Sequence, residues 1–278
     1  MSPPAFVTRF APSPTGRLHR GHAFSALTAF DAARRAGGEF LLRIEDIDAG
    51  RCRPEFEAEI LGDLAWLGIS WREPVRRQSE HFFEYHRVVE ALRGRGLLYR
   101  CFRTRSEVLA DIGRAPQGPG AVFTGGPLSP SSEARLVAEG RPFAWRLSLA
   151  AARRELGGFE GVGFSEEALG FVQARPELAG DIILARKDVG IAYHLAVVLD
   201  DAWQGVTHVI RGADLFAATH IQRILQALLD LPTPAYRHHK VLVRPDGKRF
   251  AKRDTAETLA DLRAGGLTAA ALRAQLGF

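Results

Sequence analysis

The spacing of apolar and polar positions predicts an α/β chain. Residues 6–10 are a short apolar run with β character, and two prolines and a glycine force a loop over 11–16. Ala23, Phe24, Leu27 and Phe30 give 21–35 an apolar helical face, which Gly37-Gly38 stops. Residues 39–44 read as a strand opening into the acidic turn Glu45-Asp46-Ile47-Asp48. Strand, helix, strand at this length predicts a parallel βαβ unit, whose ligands sit at the carboxyl ends of the strands. Amphipathic helices are expected at 54–67 and about 80–93, and a strand at 97–102. Thr104 and Glu107 form a capping-box pattern for a helix at 105–112, before a Gly/Pro loop at 114–130. Strands are expected at 143–148, 181–188, 206–214 and 236–243, with a core helix at 217–229. The apolar positions of 191–201 fit a buried helix or strand equally. Short helices are expected at 256–264 and 268–276.

Composition narrows the class. The 278 residues are 46% hydrophobic, ordinary for a globular protein with a sizeable core. No apolar run approaches the roughly 18–20 residues that span a bilayer. The first residues are not of signal-peptide type, and two cysteines, Cys52 and Cys101, make no disulfide framework. A cytoplasmic protein without membrane attachment is the expectation. The net charge of +5 permits a nucleic-acid partner without demanding one. Only four lysines occur, two of them within 248–252.

Candidate chemistry gathers around 9–22, Arg-Phe-Ala-Pro-Ser-Pro-Thr-Gly-Arg-Leu-His-Arg-Gly-His. A strand, a Gly/Pro loop and a helix start can hold a nucleotide phosphate, and His19 and His22 can stabilise charge developing on it. Two histidines near a glycine serve structure as readily as catalysis. Arg211, like Arg9, sits at the end of an expected strand, where a guanidinium pairs two-pronged with a carboxylate. His81 and His86 read as packing or surface residues, and His238-His239 as surface or mildly functional. Four basic residues in the six from Lys248 to Arg253 form either a solvated face or a triphosphate contact.

The 9–22 string resembles the R-F-A-P-S-P-T-G-x-L-H-x-G-H signature of glutamate-specific class I aminoacyl-tRNA synthetases. The resemblance runs from Arg9 to Arg253. It implies a Rossmann-like parallel sheet with an inserted acceptor-end-type α/β module and short C-terminal helices. The expected division is 1–97 and 181–254 for the two halves of the nucleotide fold, 98–180 for the insert and 255–278 for the last helices. Glu45 falls in the family's R-I-E-D-T-D, where it implies a contact to the substrate's α-amino group. Trp66-Leu67-Gly68-Ile69 matches a W-L-G-I/L segment, with Trp66 read as packing. The resemblance makes 191–201 a helix with Tyr193 facing the substrate. It places Arg211 in V-I/V-R-G-x-D. Arg249-Phe-Ala-Lys-Arg253 resembles the K-L/I-S-K-R/Q loop, with Arg249 for the first lysine and Ala251 for the serine. The implied assignments are Arg9, Ala11, Ser13, Glu45, Tyr193 and Arg211 for glutamate. Pro12, His19, Gly21, His22, Arg249, Lys252 and Arg253 go to ATP, with His19, His22 and Lys252 catalytic. Mg²⁺ is expected on the phosphates.

Many relatives hold a structural zinc in the insert. Here Cys101 remains, but Arg103, Phe123 and Pro127 stand where the other ligands would be, so no zinc is expected. Only 26 residues follow Lys252, too few for an anticodon-reading domain. Together with Tyr193-His194-Leu195 and Arg211-Gly212-Ala213-Asp214-Leu215, this brings the resemblance closest to the short glutamyl-Q tRNA(Asp) synthetases. Their Y-Q-L and R-G-A-D-L contrast with Y-N-F and R-G-E-D-H in full-length enzymes. The implied function is tRNA-independent glutamate activation and transfer to queuosine in the tRNA(Asp) anticodon stem-loop, by a monomer. A truncated glutamyl-tRNA synthetase and a non-catalytic glutamate- or ATP-binding paralogue are the alternatives.

Overall fold

The structure is a computed structural model that describes residues 6–104, 107, 123, 125–186, 190–242 and 257–278. Strands β1 (Val7–Phe10), β2 (Glu39–Ile44) and β3 (Arg72–Arg77) pair in parallel in the order β1-β2-β3. β1 is buried along its whole length and β2 along all but its first residue, as parallel strands covered on both faces should be. Their apolar residues, Val7 and Phe10 in β1 and Phe40, Leu41, Leu42 and Ile44 in β2, made them legible. β3 reads Arg-Glu-Pro-Val-Arg-Arg and was not anticipated: it is an edge strand, where charge and proline are tolerated and no apolar pattern is needed.

Helix α1 (Arg20–Arg35) joins β1 to β2 and packs Ala23, Ala26, Leu27 and Ala29 into the core. Its small residues let the helix lie close over the sheet. α2 (Pro54–Trp66) buries Ile60 and Leu64 in the same core, with Trp66 packed at its edge. A 3₁₀ turn leads into α3 (Phe82–Gly94).

The next stretch contributes β4 (Leu98–Cys101), α4 (Pro130–Ala138), β5 (Ala144–Leu147), α5 (Leu149–Glu155) and the hairpin β6 (Gly163–Glu166)–β7 (Gly170–Gln173). With β8 (Ile183–Arg186) and β9 (Gly190–Ile191), β4 and β5 form an antiparallel sheet in the order β4-β5-β8-β9. The Thr104–Glu107 capping box forms: Thr104 N–H donates to the Glu107 carboxylate and Glu107 N–H to Thr104 Oγ1. The rest of the expected 105–112 helix lies outside the described residues.

Within 191–201, Ile191 ends β9 and the rest from Tyr193 is helix: α6 spans Tyr193–Trp203. β10 (His208–Gly212) follows, then α7 (Phe216–Leu228), which buries Ile221, Ile224, Leu225 and Leu228 as expected. Each such burial contributes roughly 1.5–3 kcal/mol. β11 (Ala235–His239) is shorter than expected, ending four residues before 243. It pairs in parallel with β10 on one side and β6 on the other, giving the order β10-β11-β6-β7. α8 (Leu259–Ala264) and α9 (Ala269–Leu276) return to the first core through Leu259, Leu262 and Leu272.

β1 is the seam. Thr207 N–H, just before β10, donates to the Val7 carbonyl at 2.9 Å. The ends of β1, β2 and β10 thereby meet at one crevice, where the connections leave in opposite directions, the usual ligand position in such sheets. Among the described residues no helix is long and apolar enough to cross a membrane.

Candidate active site

A cavity of about 610 Å³ opens at that crevice. Arg9, Ala11, Ser13, Glu45, Tyr193 and Arg211 all line it, and so do Pro12, His19, Gly21 and His22. Arg249, Lys252 and Arg253 lie outside the described residues. The segment containing them is nonetheless flanked by cavity residues: Val241 and Leu242 line the cavity on one side. On the other, Thr258 bridges to His19, and Leu259 N–H donates to the Leu18 carbonyl at 2.9 Å.

The 11–16 loop is pinned from outside. Glu45 N–H donates to the Pro12 carbonyl and Arg53 N–H to the Pro14 carbonyl, both at 3.0 Å. The carbonyls of Pro12 and Pro14 thus tie the loop to the end of β2 and to the residue before α2. α1 then begins with a capping box built from two histidines. His19 Nδ1 accepts from Gly21 N–H at 3.1 Å, and His22 Nδ1 accepts from His19 N–H at 3.2 Å. Their rings stack with centroids 3.7 Å apart. A nitrogen that accepts carries no proton, so the proton of each neutral imidazole sits on Nε2. The cap therefore fixes both rings as Nε2–H donors at a helix N-terminus, a setting that favours anions. On the next turn Ser25 meets His239 Nε2 at 3.0 Å, and both line the cavity.

The opposite wall is ionic and almost fully buried. Arg9 makes a two-pronged pair, but its partner is Asp201: Nε–Oδ1 is 2.9 Å and Nη2–Oδ2 is 3.4 Å. Asp201 thus occupies two of the three nitrogens of Arg9 and leaves Nη1. Arg43, 0% exposed, donates to Asp201 at 2.8 Å and to Glu45 at 3.2 Å and lies 3.7 Å from Asp200. Asp200 also accepts from Arg76 Nε and Gln78 Nε2, each at 2.7 Å, and from the Tyr85 hydroxyl at 2.8 Å. Three guanidinium groups thus face three carboxylates. Burial alone would raise the Asp201 carboxyl, but Arg9 and Arg43 outweigh it and hold it below the ordinary range. At Glu45 the balance reverses: burial raises its pKa despite Arg43 and Arg9. An added cation at Glu45 would relieve that penalty.

Arg211 is 5% exposed and, unlike Arg9 and Arg43, forms no ion pair with a described carboxylate. Nη2 donates to Thr219 Oγ1 at 2.7 Å and to Gln222 Oε1 at 2.8 Å, and Nε donates to His238 Nε2 at 3.2 Å. Among the described residues no carboxylate contacts it directly. Buried charges are ordinarily paired, and this cation lines the cavity wall. Beside it, burial raises the Tyr193 phenol and lowers His194 to about 4, so both stay neutral near pH 7.

Other residues fall away from the cavity. Asp46 caps the 3₁₀ turn by accepting from Ser79 N–H at 2.8 Å and Ser79 Oγ at 2.6 Å. Asp48 pairs with exposed Arg51. His81 bonds Glu84 and His86 lies against Phe82, in line with packing or surface roles. The residues around Cys101 do not fit zinc. The Phe123 ring lies 3.8 Å from the Arg146 guanidinium carbon and 5.9 Å from that of Arg103, and two cations would repel a metal dication. Among the described residues no three His, Cys, Asp or Glu side chains converge to hold a metal.

Sequence reasoning missed the supporting groups Arg43, Asp201, Thr219, Gln222 and Glu166. One signal was available: two consecutive aspartates at the end of the apolar 191–199 run, which reads as buried throughout. His238, read as mildly functional at most, is a direct partner of Arg211.

Residues 5–276 match the family of class I tRNA synthetases (E and Q), catalytic domain. The chain is 47% identical to a glutamyl-Q tRNA(Asp) synthetase of Rhodobacter capsulatus, covering 98% of this chain and 99% of that protein. It is 38% identical to glutamate–tRNA ligase 1 of Paracoccus denitrificans, over 96% of this chain and 59% of the ligase. The fold is similar to the crystal structure of a glutamate tRNA ligase from Elizabethkingia meningosepticum in complex with its amino acid, with a TM-score of 0.72 and 28% identity. That alignment covers 90% of this chain and 52% of the ligase, so the chain spans about half of it.

Proposed function

The chain belongs to the class I tRNA synthetase (E and Q) catalytic-domain family, whose ligases consume ATP, and from this premise we propose that it activates L-glutamate without tRNA and transfers it to queuosine in tRNA(Asp). The observation that carries the amino-acid choice is Arg211. Arg9, Arg43 and Arg76 are balanced by Glu45, Asp200 and Asp201, whereas Arg211 has only neutral partners among the described residues. Glutamate, with two carboxylates and one ammonium, supplies the missing negative charge. Glutamine would leave a buried cation unpaired, which costs several kcal/mol. In this reading the side-chain carboxylate pairs with Arg211 and the ammonium with Glu45, while Ser13 and Arg9 Nη1 contact the remaining polar atoms.

The other end of the cavity takes ATP. An oxygen of the glutamate α-carboxylate attacks the α-phosphorus, the bond from that phosphorus to the bridging oxygen breaks, and pyrophosphate leaves. His19 and His22 donate from Nε2 to the phosphate oxygens. Lys252, aided by Arg249 and Arg253, neutralises the departing charge. A nucleophile of the tRNA then attacks the adenylate carbonyl carbon and AMP leaves. Mg²⁺ would arrive on the triphosphate. Glu45 and Asp214 are the carboxylates lining the cavity, so phosphate oxygens and water would hold most of its coordination shell.

The acceptor assignment rests on local sequence and on relatives 41–47% identical that carry the glutamyl-Q tRNA(Asp) synthetase name. Tyr193-His194-Leu195 and Arg211-Gly212-Ala213-Asp214-Leu215 border the amino-acid end of the cavity. Glutamate-dependent exchange of labelled pyrophosphate into ATP, assayed with no tRNA present, is expected to proceed. Exchange that starts only when tRNA(Glu) is added would favour a synthetase charging tRNA 3′ ends.

A further inference from the structure

Arg211 can only donate hydrogen bonds, so His238 Nε2, 3.2 Å from Arg211 Nε, must accept. The proton of a neutral His238 ring then sits on Nδ1. That nitrogen meets Glu166 Oε2 at 2.7 Å, and Glu166 Oε1 accepts from the His238 backbone N–H at 3.1 Å. One carboxylate thus grips both the ring and the main chain of His238. Both side chains are 3% exposed. Glu166 arrives from β6, where the pairing of Tyr236 with Glu166 sets its height beside β11.

We propose that Glu166 and His238 are positioning residues that hold Arg211 ready for the carboxylate of the amino-acid substrate. The electrostatic logic is visible by comparison with Arg9. Asp201 touches Arg9 directly and takes up most of its fork. A carboxylate touching Arg211 in the same way would compete with the substrate. Glu166 instead acts through one imidazole ring. It fixes the tautomer that accepts from Arg211 Nε, and it leaves the guanidinium without an anion of its own. Thr219 and Gln222 hold Nη2, so the plane of the guanidinium is set on two sides.

This rests on Arg211 being the carboxylate site, and the test separates the two claims. In ¹⁵N-edited imidazole spectra of the unaltered protein, His238 is expected to carry its proton on Nδ1 with an unprotonated Nε2. The Glu166→Gln variant is expected to shift that signature and to raise the glutamate KM on the order of 10-fold, the effect of losing one charge-assisted contact, with ATP KM and kcat little changed. A purely structural role would move all three kinetic values together. An Nε2–H tautomer at His238, or an unchanged glutamate KM in Glu166→Gln, would overturn the proposal. Arg211→Gln in the same assay tells the failures apart: if it too leaves glutamate KM unchanged, Arg211 is not the carboxylate site.

Discussion

Arg9 and Arg211 are the same side chain in opposite electrostatic settings. Both end a strand, both are nearly buried, and both line one cavity. Asp201 neutralises the first, and among the described residues the second touches only neutral acceptors. The site's selectivity is therefore placed on Arg211. Arg211→Gln is expected to lower kcat/KM for glutamate by about 10²-fold or more, the scale of removing a partner from a buried charged pair. Discrimination against glutamine should shrink with it. Steady-state kinetics with both amino acids checks this. Glu45 carries a pH dependence of known sign. Burial raises its pKa, and only its ionised form pairs with an ammonium. The kcat/KM for glutamate should therefore rise with pH through an ionisation above the ordinary carboxylate range. Glu45→Gln should remove that ionisation from the profile. The sequence made these end-of-strand residues visible because glycine, acidic or signature neighbours mark them. Their supports were hidden, because Asp201, Gln222 and Glu166 are brought in from distant segments by packing.

At the scale of elements, the proposed ATP contacts fall on the cap of α1 and in the 243–256 stretch of the sequence. The cap commits the Nδ1 atoms of His19 and His22 to backbone N–H groups, which makes both rings donors toward a phosphate. Thr258 and Val241 place the two flanks of the 243–256 segment at the same cavity end. Lys252→Ala is expected to slow adenylate formation by about 10²-fold, as loss of a transition-state charge contact does. Pyrophosphate exchange measures it, and near-normal exchange would move the role to Lys248, Arg249 or Arg253. The elements that sequence periodicity revealed were the buried ones: β1, β2, α1 and α7. Of the missed strands, β3 and β7 lie at sheet edges and β6 is interior, between β11 and β7. β3 needs no apolar alternation, and in the β6–β7 hairpin Leu169 and Phe171 are exposed, so the usual inward pattern is absent. Residues 193–201 settled as helix α6 because its run buries Leu195, Ala196, Val197, Val198 and Leu199 together. Burial on every side removes the periodic signal that separates helix from strand.

For the molecule as a whole, the reading joins an ATP end and an amino-acid end across one seam, with a tRNA base as the final acceptor. A net charge of +5 is compatible with a tRNA partner, though among the described residues most exposed arginines are already paired with acids, including Arg17–Glu59, Arg72–Glu39 and Arg95–Glu155. Recognition is accordingly expected to depend more on the acceptor base reaching the cavity than on a broad basic face. The most direct test is transfer of labelled glutamate from ATP and glutamate to bulk tRNA from cells with and without queuosine. Label entering only the queuosine-containing pool, and there only tRNA(Asp), is the expected result. Equal labelling of both pools, or label on tRNA(Glu), would contradict it.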